Sequence, residues 1–527
     1  MHKPTLLTFP AKKGKNREMI PSGRYMTASD DPRPQKKRNK NRLSFSYSFY
    51  MKVSKKLDYT VKAVRAVLGS DDVVFFDFIV GKTPAVAVYI DSLTDKQSLG
   101  FEVLEPLSKQ KGTERTKTLA KSITAAGTRT CETIAECTKD ILDGRTLLFF
   151  EGKTTALSVD LKKFAERSIS EPPTGMAVKG PRGGFTESIK TNLSLVRRYL
   201  KSEDVKIETK TIGRYTATSY ALIYVSTIAK PDLVKKVKEK LARIDIDGIP
   251  DSSYLTHFIM ERKNSVFKQV GTTERPDVLI EKLLEGRIAI VVDGSPIVLT
   301  LPFLFIEDFQ TAEDYYSSPV RANITRGLRI VALIFSVFLP ALFVSAQLFH
   351  LQLIPLNFLL TIVNSIKGIP LSPSFEMFFT LLIFEILNEA SVRMPRYVGM
   401  ALSVVGALVL GETAVHAGIV STPAILIMAL SGIGLYTVPE EVETMSVLRF
   451  VFLLLAGAIG GYGIILFIGF LICYLVTFDN YGAPYIAPYS PLIGNDLKDG
   501  FYMDDVTDMI TRPASIGSGN RRRLRKS

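Results

Sequence analysis

The chain has 527 residues and a formal charge of +14, but the charge sits at its ends: residues 1–45 hold 12 Lys/Arg against 3 Asp/Glu, Arg521 to Lys526 add 5 more, and residues 46–520 sum to zero. A neutral body with basic ends argues against a nucleic-acid-binding fold, whose basic residues spread over one folded face, and suits arms that meet anionic lipid headgroups or simply solvate the chain. Three cysteines (Cys131, Cys137, Cys473) and four scattered histidines exclude a disulfide framework and offer no ligand set, so no cofactor, metal site or catalytic constellation is expected and the chain does not read as an enzyme.

Residues 1–50 are rich in Lys, Arg, Pro and Ser, lack the apolar run of a signal peptide, and are expected to form a disordered basic arm. Strand-like VVFFDFIV and PAVAVYI follow, then a helical stretch around 117–142 and the paired strands TLLFFEG and TALSVDL. The plan then recurs. ILDGRTLLFFEGKTTALSV (141–159) aligns without gaps with LLEGRIAIVVDGSPIVLTL (283–301), and AVYIDSL (87–93) with LIYVSTI (222–228). Each unit reads as a helix end and a hairpin turned at Glu-Gly or Asp-Gly. The repeat predicts two similar soluble α/β subdomains, 51–165 and 187–310, joined by a linker over 166–186.

GPRGGF (180–185) closes that linker ahead of a predicted helix over 186–201. A glycine-rich stretch before a helix can cradle phosphate. The GK[ST] ending of a phosphate loop is missing, however, and a structural turn capped by Thr186 or Ser188 is the preferred reading. Arg197, Arg198 and Lys201 on the helix read as an ordinary solvated face.

Beyond residue 320 the pattern changes. Ile330–Phe349 is 20 residues without a charge, enough to cross a bilayer core of about 30 Å as a helix, and further apolar runs cover 375–387, 397–420, 422–438 and 450–478. Residues 320–480 are therefore expected to form an all-α transmembrane bundle of four or five membrane segments. Arg321, Arg326 and Arg329 put the soluble region on the cytoplasmic side of the first span. Four crossings then leave both ends inside, with the charged 374–395 helix as the segment that does not cross. Residues 481–527 read as a disordered tail with a basic end.

Two segments of this apolar part carry polar residues. FEILNEASVRMP (384–395) stacks Glu385, Glu389 and Arg393 along one helix face, with Asn388 on the same side. Charges at membrane depth are costly and face partners or a cavity, so the stripe reads as an internal clamp or the lining of a water-filled path, ahead of an interfacial helix. The next segment sets Glu412 four residues from His416, on a face shared with Val405, Leu408 and Val409. Its Ser403, Ala407 and Gly411, like Gly457 and Gly461 further on, form small-residue series that let helices approach closely.

GPRGGFTESIKTNLSLVRRYLKSEDVKIETKTIGR, together with FEILNEASVRMPRYVGMALSVVGALVLGETAVHAGIVS, resembles the A-subunit family of GerA-type spore germinant receptors, over about residues 50–480. Gly180, Pro181, Arg182, Phe185, Glu187, Asn192, Arg197 and Arg198 carry the soluble part of the motif. Gly183 and Tyr199 depart from it, standing where the family commonly has an acidic and a basic residue. The resemblance implies an endospore-forming bacterium and a place in the spore inner membrane beside a permease-like B subunit and a lipoprotein C subunit. It implies coupling of nutrient sensing to ion release, with the B subunit holding the nutrient and the A subunit forming a homo-oligomer that makes the ion channel. On that implication the Glu385–Arg393 stripe and the Glu412/His416 pair become the polar elements of a pore. Val405, Leu408 and Val409 become a hydrophobic gate that conducts when wetted. Two other classes stay open: a secondary transporter using Glu412 and His416 as a proton relay, and a membrane-anchored signalling scaffold whose bundle charges are dispensable.

Overall fold

The computed structural model describes residues 51–110, 116–125, 127–163, 179–393 and 409–524. The expected basic arm and most of the predicted linker lie outside these residues.

The first subdomain comprises α1 (Leu57–Leu68), β1 (Val73–Val80), β2 (Thr83–Ile90), β3 (Arg129–Cys131), α2 (Ile134–Leu142), β4 (Thr146–Phe150) and β5 (Ala156–Val159). Its antiparallel sheet has the order β1-β2-β4-β5-β3. The second comprises α3 (Ile189–Tyr199), β6 (Val205–Ile212), β7 (Thr218–Val225), α4 (Pro231–Ala242), β8 (Gly271–Thr273), α5 (Pro276–Glu285), β9 (Ile288–Val292) and β10 (Val298–Leu301), with the order β6-β7-β9-β10-β8.

The two sheets share register as well as order. Thr146, Leu147 and Leu148 face Val159, Ser158 and Leu157, and Ile288, Ala289 and Ile290 face Leu301, Thr300 and Leu299. These are the pairs that the gapless alignment of 141–159 with 283–301 puts in correspondence. Ala87 opposite Leu148 likewise matches Leu222 opposite Ile290. Strands β4 and β9 are buried along their whole length, which explains why they read as apolar runs instead of alternating. Apolar clusters cover both faces of each sheet, with Val64, Ile134 and Ile141 on one side of the first sheet and Leu99, Val103 and Leu107 on the other.

An ion pair joins the two subdomains. Arg197 of α3 is 2% exposed and donates through Nε to Asp72 Oδ2 (2.7 Å) and through Nη2 to Asp72 Oδ1 (2.8 Å) and Ser70 Oγ (2.9 Å). Backbone contact continues from Asp71 N to Ile207 O (2.9 Å), so the edge strand β6 meets the α1–β1 loop. The solvated face expected around Arg197 is corrected here: the turn of α3 that points Arg198 outward points Arg197 at Asp72. Lys201 pairs with Asp143 at 3.1 Å.

The helical part begins with α6 (Pro319–Phe349), which is followed by α7 (Leu356–Ile366), α8 (Pro373–Arg393), α9 (Thr422–Leu435), α10 (Val442–Ile459) and α11 (Gly461–Val476). Among the described residues two helices are long and apolar enough to cross a membrane, Pro319–Phe349 and Pro439–Ile459. The 450–478 run is not one span. Gly460, at φ 71° and ψ −147°, ends α10 and reverses the chain into α11, a conformation that a side chain resists, and a Cβ there would lie 2.7 Å from the Phe349 ring. Helix α7 has no counterpart among the predicted segments.

Arg326 and Arg329 turn inward at the start of α6. Arg326 is fully buried and donates to Asp314 Oδ2 (2.9 Å), Asp499 Oδ1 (2.9 Å) and Gly500 O (2.8 Å). Burial pushes the Asp314 carboxyl up, and hydrogen bonds from Arg329 and Arg326 more than reverse it, holding it below the ordinary carboxylate range. The disordered tail expected over 481–527 is also corrected, for residues 481–524. Tyr481, Tyr485, Met503, Met509 and Ile516 are buried, and Asn480 Nδ2 donates to Gln269 O (2.8 Å) and Phe303 O (2.9 Å). These anchors are few and irregularly spaced, so composition hides an order that docking creates.

Arg197→Ala strands Asp72 without its cation and is expected to destabilise the full chain by about 3–5 kcal/mol, seen as a fall in thermal midpoint. Arg198→Ala, one residue on and outward-facing, should change it by less than ~0.5 kcal/mol.

Candidate functional site in the helical part

Pro340 lies inside α6 and has no N–H, so the carbonyl of Ser336, four residues earlier, loses its helical donor. Ser431 on α9 supplies the bond instead, donating from Oγ to Ser336 O at 2.6 Å. Arg449 on α10 in turn donates from Nη1 to Ser431 Oγ (3.0 Å), and its Nη2 pairs with Glu385 on α8, which also accepts from Ser446 Oγ. One polar chain thus links α8, α10, α9 and α6. Arg449 is 4% exposed on its side chain and Glu385 24%, so the pair sits in low dielectric and is held by geometry on both sides.

The rest of the predicted stripe behaves differently. Arg393 Nε donates to Glu389 Oε1 at 2.6 Å, but the two side chains are 78% and 64% exposed and lie with Glu385, Ile386 and Ala390 along an open groove. Asn388 is half-buried, and its carbonyl accepts from Ser391 Oγ at 2.8 Å. Glu412 and His416 are exposed on the short helical turns Val409–Thr413 and Ala414–His416. Val409 opens the first of these turns, while Ser403, Val405, Ala407 and Leu408 lie outside the described residues.

Of the small-residue positions, Gly457 packs so that a Cβ would come 2.8 Å from Ser374 Oγ, and Gly461 faces His350 and Ser345 at 3.4 and 3.5 Å. A Cβ on Gly411 would meet nothing within 4 Å among the described residues. The tightest helix contact was not among the predicted ones: a Cβ on Gly434 of α9 would lie 2.5 Å from Ala332 O of α6.

Sequence reasoning also missed Arg449, Ser431 and Glu376. Arg449 is the one basic residue between Val442 and Phe478, and such a lone cation beside an apolar run calls for a buried partner. Glu376 is 1% exposed and accepts from the backbone N of Ser421, whose Oγ caps α9, placing a carboxylate at a helix N-terminus.

The soluble motif forms a corner. Gly180 has φ 114° and lies against Tyr316, where a Cβ would come within 2.7 Å of the ring; Pro181 O accepts from Arg275 Nη2 at 3.2 Å. Phe185 is buried with its N–H on Glu274 O (2.7 Å), and Glu187 O accepts from Gly294 N (2.7 Å). Arg182 and Arg198 are exposed. Asn192, fully buried, holds Thr186 from both sides, accepting from its N–H at 2.8 Å and donating to its carbonyl at 2.6 Å. Ser188 caps α3.

Two α/β repeats fastened to a helical part that encloses a Glu385–Arg449 pair describe a class, and similarity to known proteins gives the family. The profile described as Bacillus/Clostridium GerA spore germination protein matches residues 61–515. Spore germination protein KA of Bacillus subtilis is 35% identical over 471 residues, 88% of this chain and 87% of that protein. Spore germination protein GerLA of Bacillus cereus is 31% identical over 439 residues, 82% of this chain and 89% of that protein. The crystal structure of the N-terminal domain of the A subunit of the Bacillus megaterium spore germinant receptor GerK3 is 32% identical and covers 49% of this chain and 98% of that one, with a TM-score of 0.40. The chain belongs to the GerA family of spore germination proteins.

Removing either partner of the buried pair, by Glu385→Ala or Arg449→Ala, is expected to cost roughly 3 kcal/mol and lower the amount of folded protein. Glu389→Gln should cost less than ~0.5 kcal/mol, because its pair is solvated. Thermal midpoints in detergent micelles compare the three.

Proposed function

We propose that this chain is the A-type subunit of a nutrient germinant receptor, held in the spore inner membrane by its helical part with the α/β region on the cytoplasmic side. It works with a permease-like B subunit, which holds the nutrient, and a lipoprotein C subunit. Its copies associate around an ion path whose opening starts germination.

One observation carries the membrane part of this reading. The outer surface of the helical part is apolar: Phe335 and Leu342 on α6, Leu454 on α10, and Ile465, Leu466 and Phe470 on α11 are each more than half exposed. A water-soluble surface does not keep that many large apolar side chains together, and lipid tails or other subunits cover such faces. Family membership supplies the germination role. For the ion path, the support is the contrast within the stripe. Glu385 is committed to Arg449 as a clamp, whereas Glu389, Arg393, Glu412 and His416 reach outward, where they can meet water or ions.

The test is ion conductance of the purified full chain in liposomes. Glu389→Gln is expected to change ion selectivity or flux with protein amounts unaltered, and Leu408→Ala at the proposed gate to raise flux. Silence in every variant, with folded oligomeric protein verified, moves the pore to a partner subunit.

A further inference from the structure

The helical part meets the second subdomain where the turn Phe305–Phe309, the residues before β8 and the turn Pro439–Glu441 come together. Lys268 bridges them, with Nζ 3.1 Å from Asp308 Oδ1 and 2.5 Å from Glu440 Oε2. Glu440 is half-exposed and also accepts from Thr272 Oγ1 at 3.3 Å. Glu441 is 0% exposed, the Asp308 side chain is 6% exposed, and the two carboxyls face each other. Among the described residues no hydrogen-bond partner is met by either oxygen of Glu441 or by Oδ2 of Asp308, the neighbouring Thr444 hydroxyl being spent on Val266 O.

Two buried carboxylates in contact repel each other and have each given up hydration, which is tolerable only if a positive particle lies between them. Lys268 supplies one positive charge and is shared with Glu440. The other groups packed on the cluster bring none: Tyr485 donates its hydroxyl to Lys268 O (2.8 Å), Thr444 donates to Val266 O (3.1 Å), and Glu307 is engaged by Lys282 (2.9 Å) and Arg287 (3.0 Å). With both acids ionised, Asp308, Glu441 and Lys268 leave one uncompensated negative charge in the interior. A single proton between the carboxyls removes it, turns one acid into the missing donor, and leaves Lys268 in place. A metal cation is disfavoured by the ammonium already at 3.1 Å from Asp308.

We propose that Asp308 and Glu441 share one proton, and that this proton latches the Pro439–Glu441 turn, and with it α10, onto the second subdomain. The latch stands on the joint's geometry and holds whether or not the helices conduct ions. Burial pushes the Asp308 carboxyl up, Lys268 offsets part of that, and Glu440 adds to it. A carboxyl raised on folding contributes its full stabilisation below the ordinary carboxylate range and loses it as pH climbs through the raised value. Alkalinisation therefore loosens the joint, and acidification tightens it.

Infrared difference spectra of the full chain in detergent, wild type minus the Asp308→Asn/Glu441→Gln variant, test this directly. At neutral pH the wild type is expected to show the additional carbonyl stretch of a buried protonated acid, fading as pH rises. Glu281, whose carboxyl burial pushes up to about 7, is present in both proteins and cancels. The thermal midpoint of the wild type should fall over the same pH range, and that of the variant, whose amides mimic the protonated pair, should be flatter. If the double variant does not fold, Asp308→Asn alone, which gives Glu441 an amide donor, decides by the same two readouts. Absence of the additional band, equal pH dependence in both proteins, or a midpoint that follows calcium or sodium concentration instead of pH would overturn the proposal.

Discussion

Arg326 carries a full charge with no exposed surface, and that combination fixes how three parts of the chain meet. A guanidinium taken out of water without partners is among the most costly groups a fold can hold. Asp314 before α6, and Asp499 and the Gly500 carbonyl 173 and 174 residues beyond Arg326, must therefore converge on it. Tyr315 adds a hydrogen bond to Asp499 at 2.7 Å, and Asn323 exchanges bonds with the backbone of Met503 at 2.7 and 3.0 Å. The first turns of α6 thus belong mechanically to the soluble region. Only from Ile330 onward is the helix free of charge.

The same logic recurs at each joint. Asp72 and Arg197 close the seam between the subdomains, and Glu385 and Arg449 close the helical part around the carbonyl that Pro340 frees. Packing alone would let apolar surfaces slide, because dispersion is non-directional. The Arg197–Asp72 pair is bidentate and fixes an angle as well as a distance, and Arg326 and Arg449 reach the same end by spreading directional bonds over several acceptors.

The α/β repeat was legible because it lies in local pattern: the gapless match of 141–159 with 283–301 carries hairpin register, and a shared register forces a shared strand order. The stripe was legible as charges out of place in an apolar run. What decided the role of each member, however, was the partner. Glu385 and Glu389 are four residues apart on one helix and look alike in sequence, yet one meets the buried Arg449 and the other the solvent-exposed Arg393. Arg197 and Arg198 differ in burial: Arg197 is buried on Asp72, and Arg198 lies at the surface. The C-terminal segment was misread for a related reason: Asn480, Tyr485 and Met503 order it through contacts with Gln269, Lys268 and Asn323, none of which local composition can register.

Charge balance separates these joints into two kinds. At the subdomain seam one cation meets one anion, around Arg326 two arginines meet Asp314 and Asp499, and in the helical part Arg449 meets Glu385. Each balances its charge within the protein. The Asp308–Glu441 joint differs, since its single buried cation is outnumbered by buried acids. The balanced joints hold the subdomains to each other and to α6 as a rigid frame, and the unbalanced one fastens that frame to α10. A rearrangement between the soluble region and the clamp helices then has a proton-dependent opening at Glu441, because loss of the shared proton takes the Asp308, Glu441 and Lys268 group from neutral to one net negative charge in the interior.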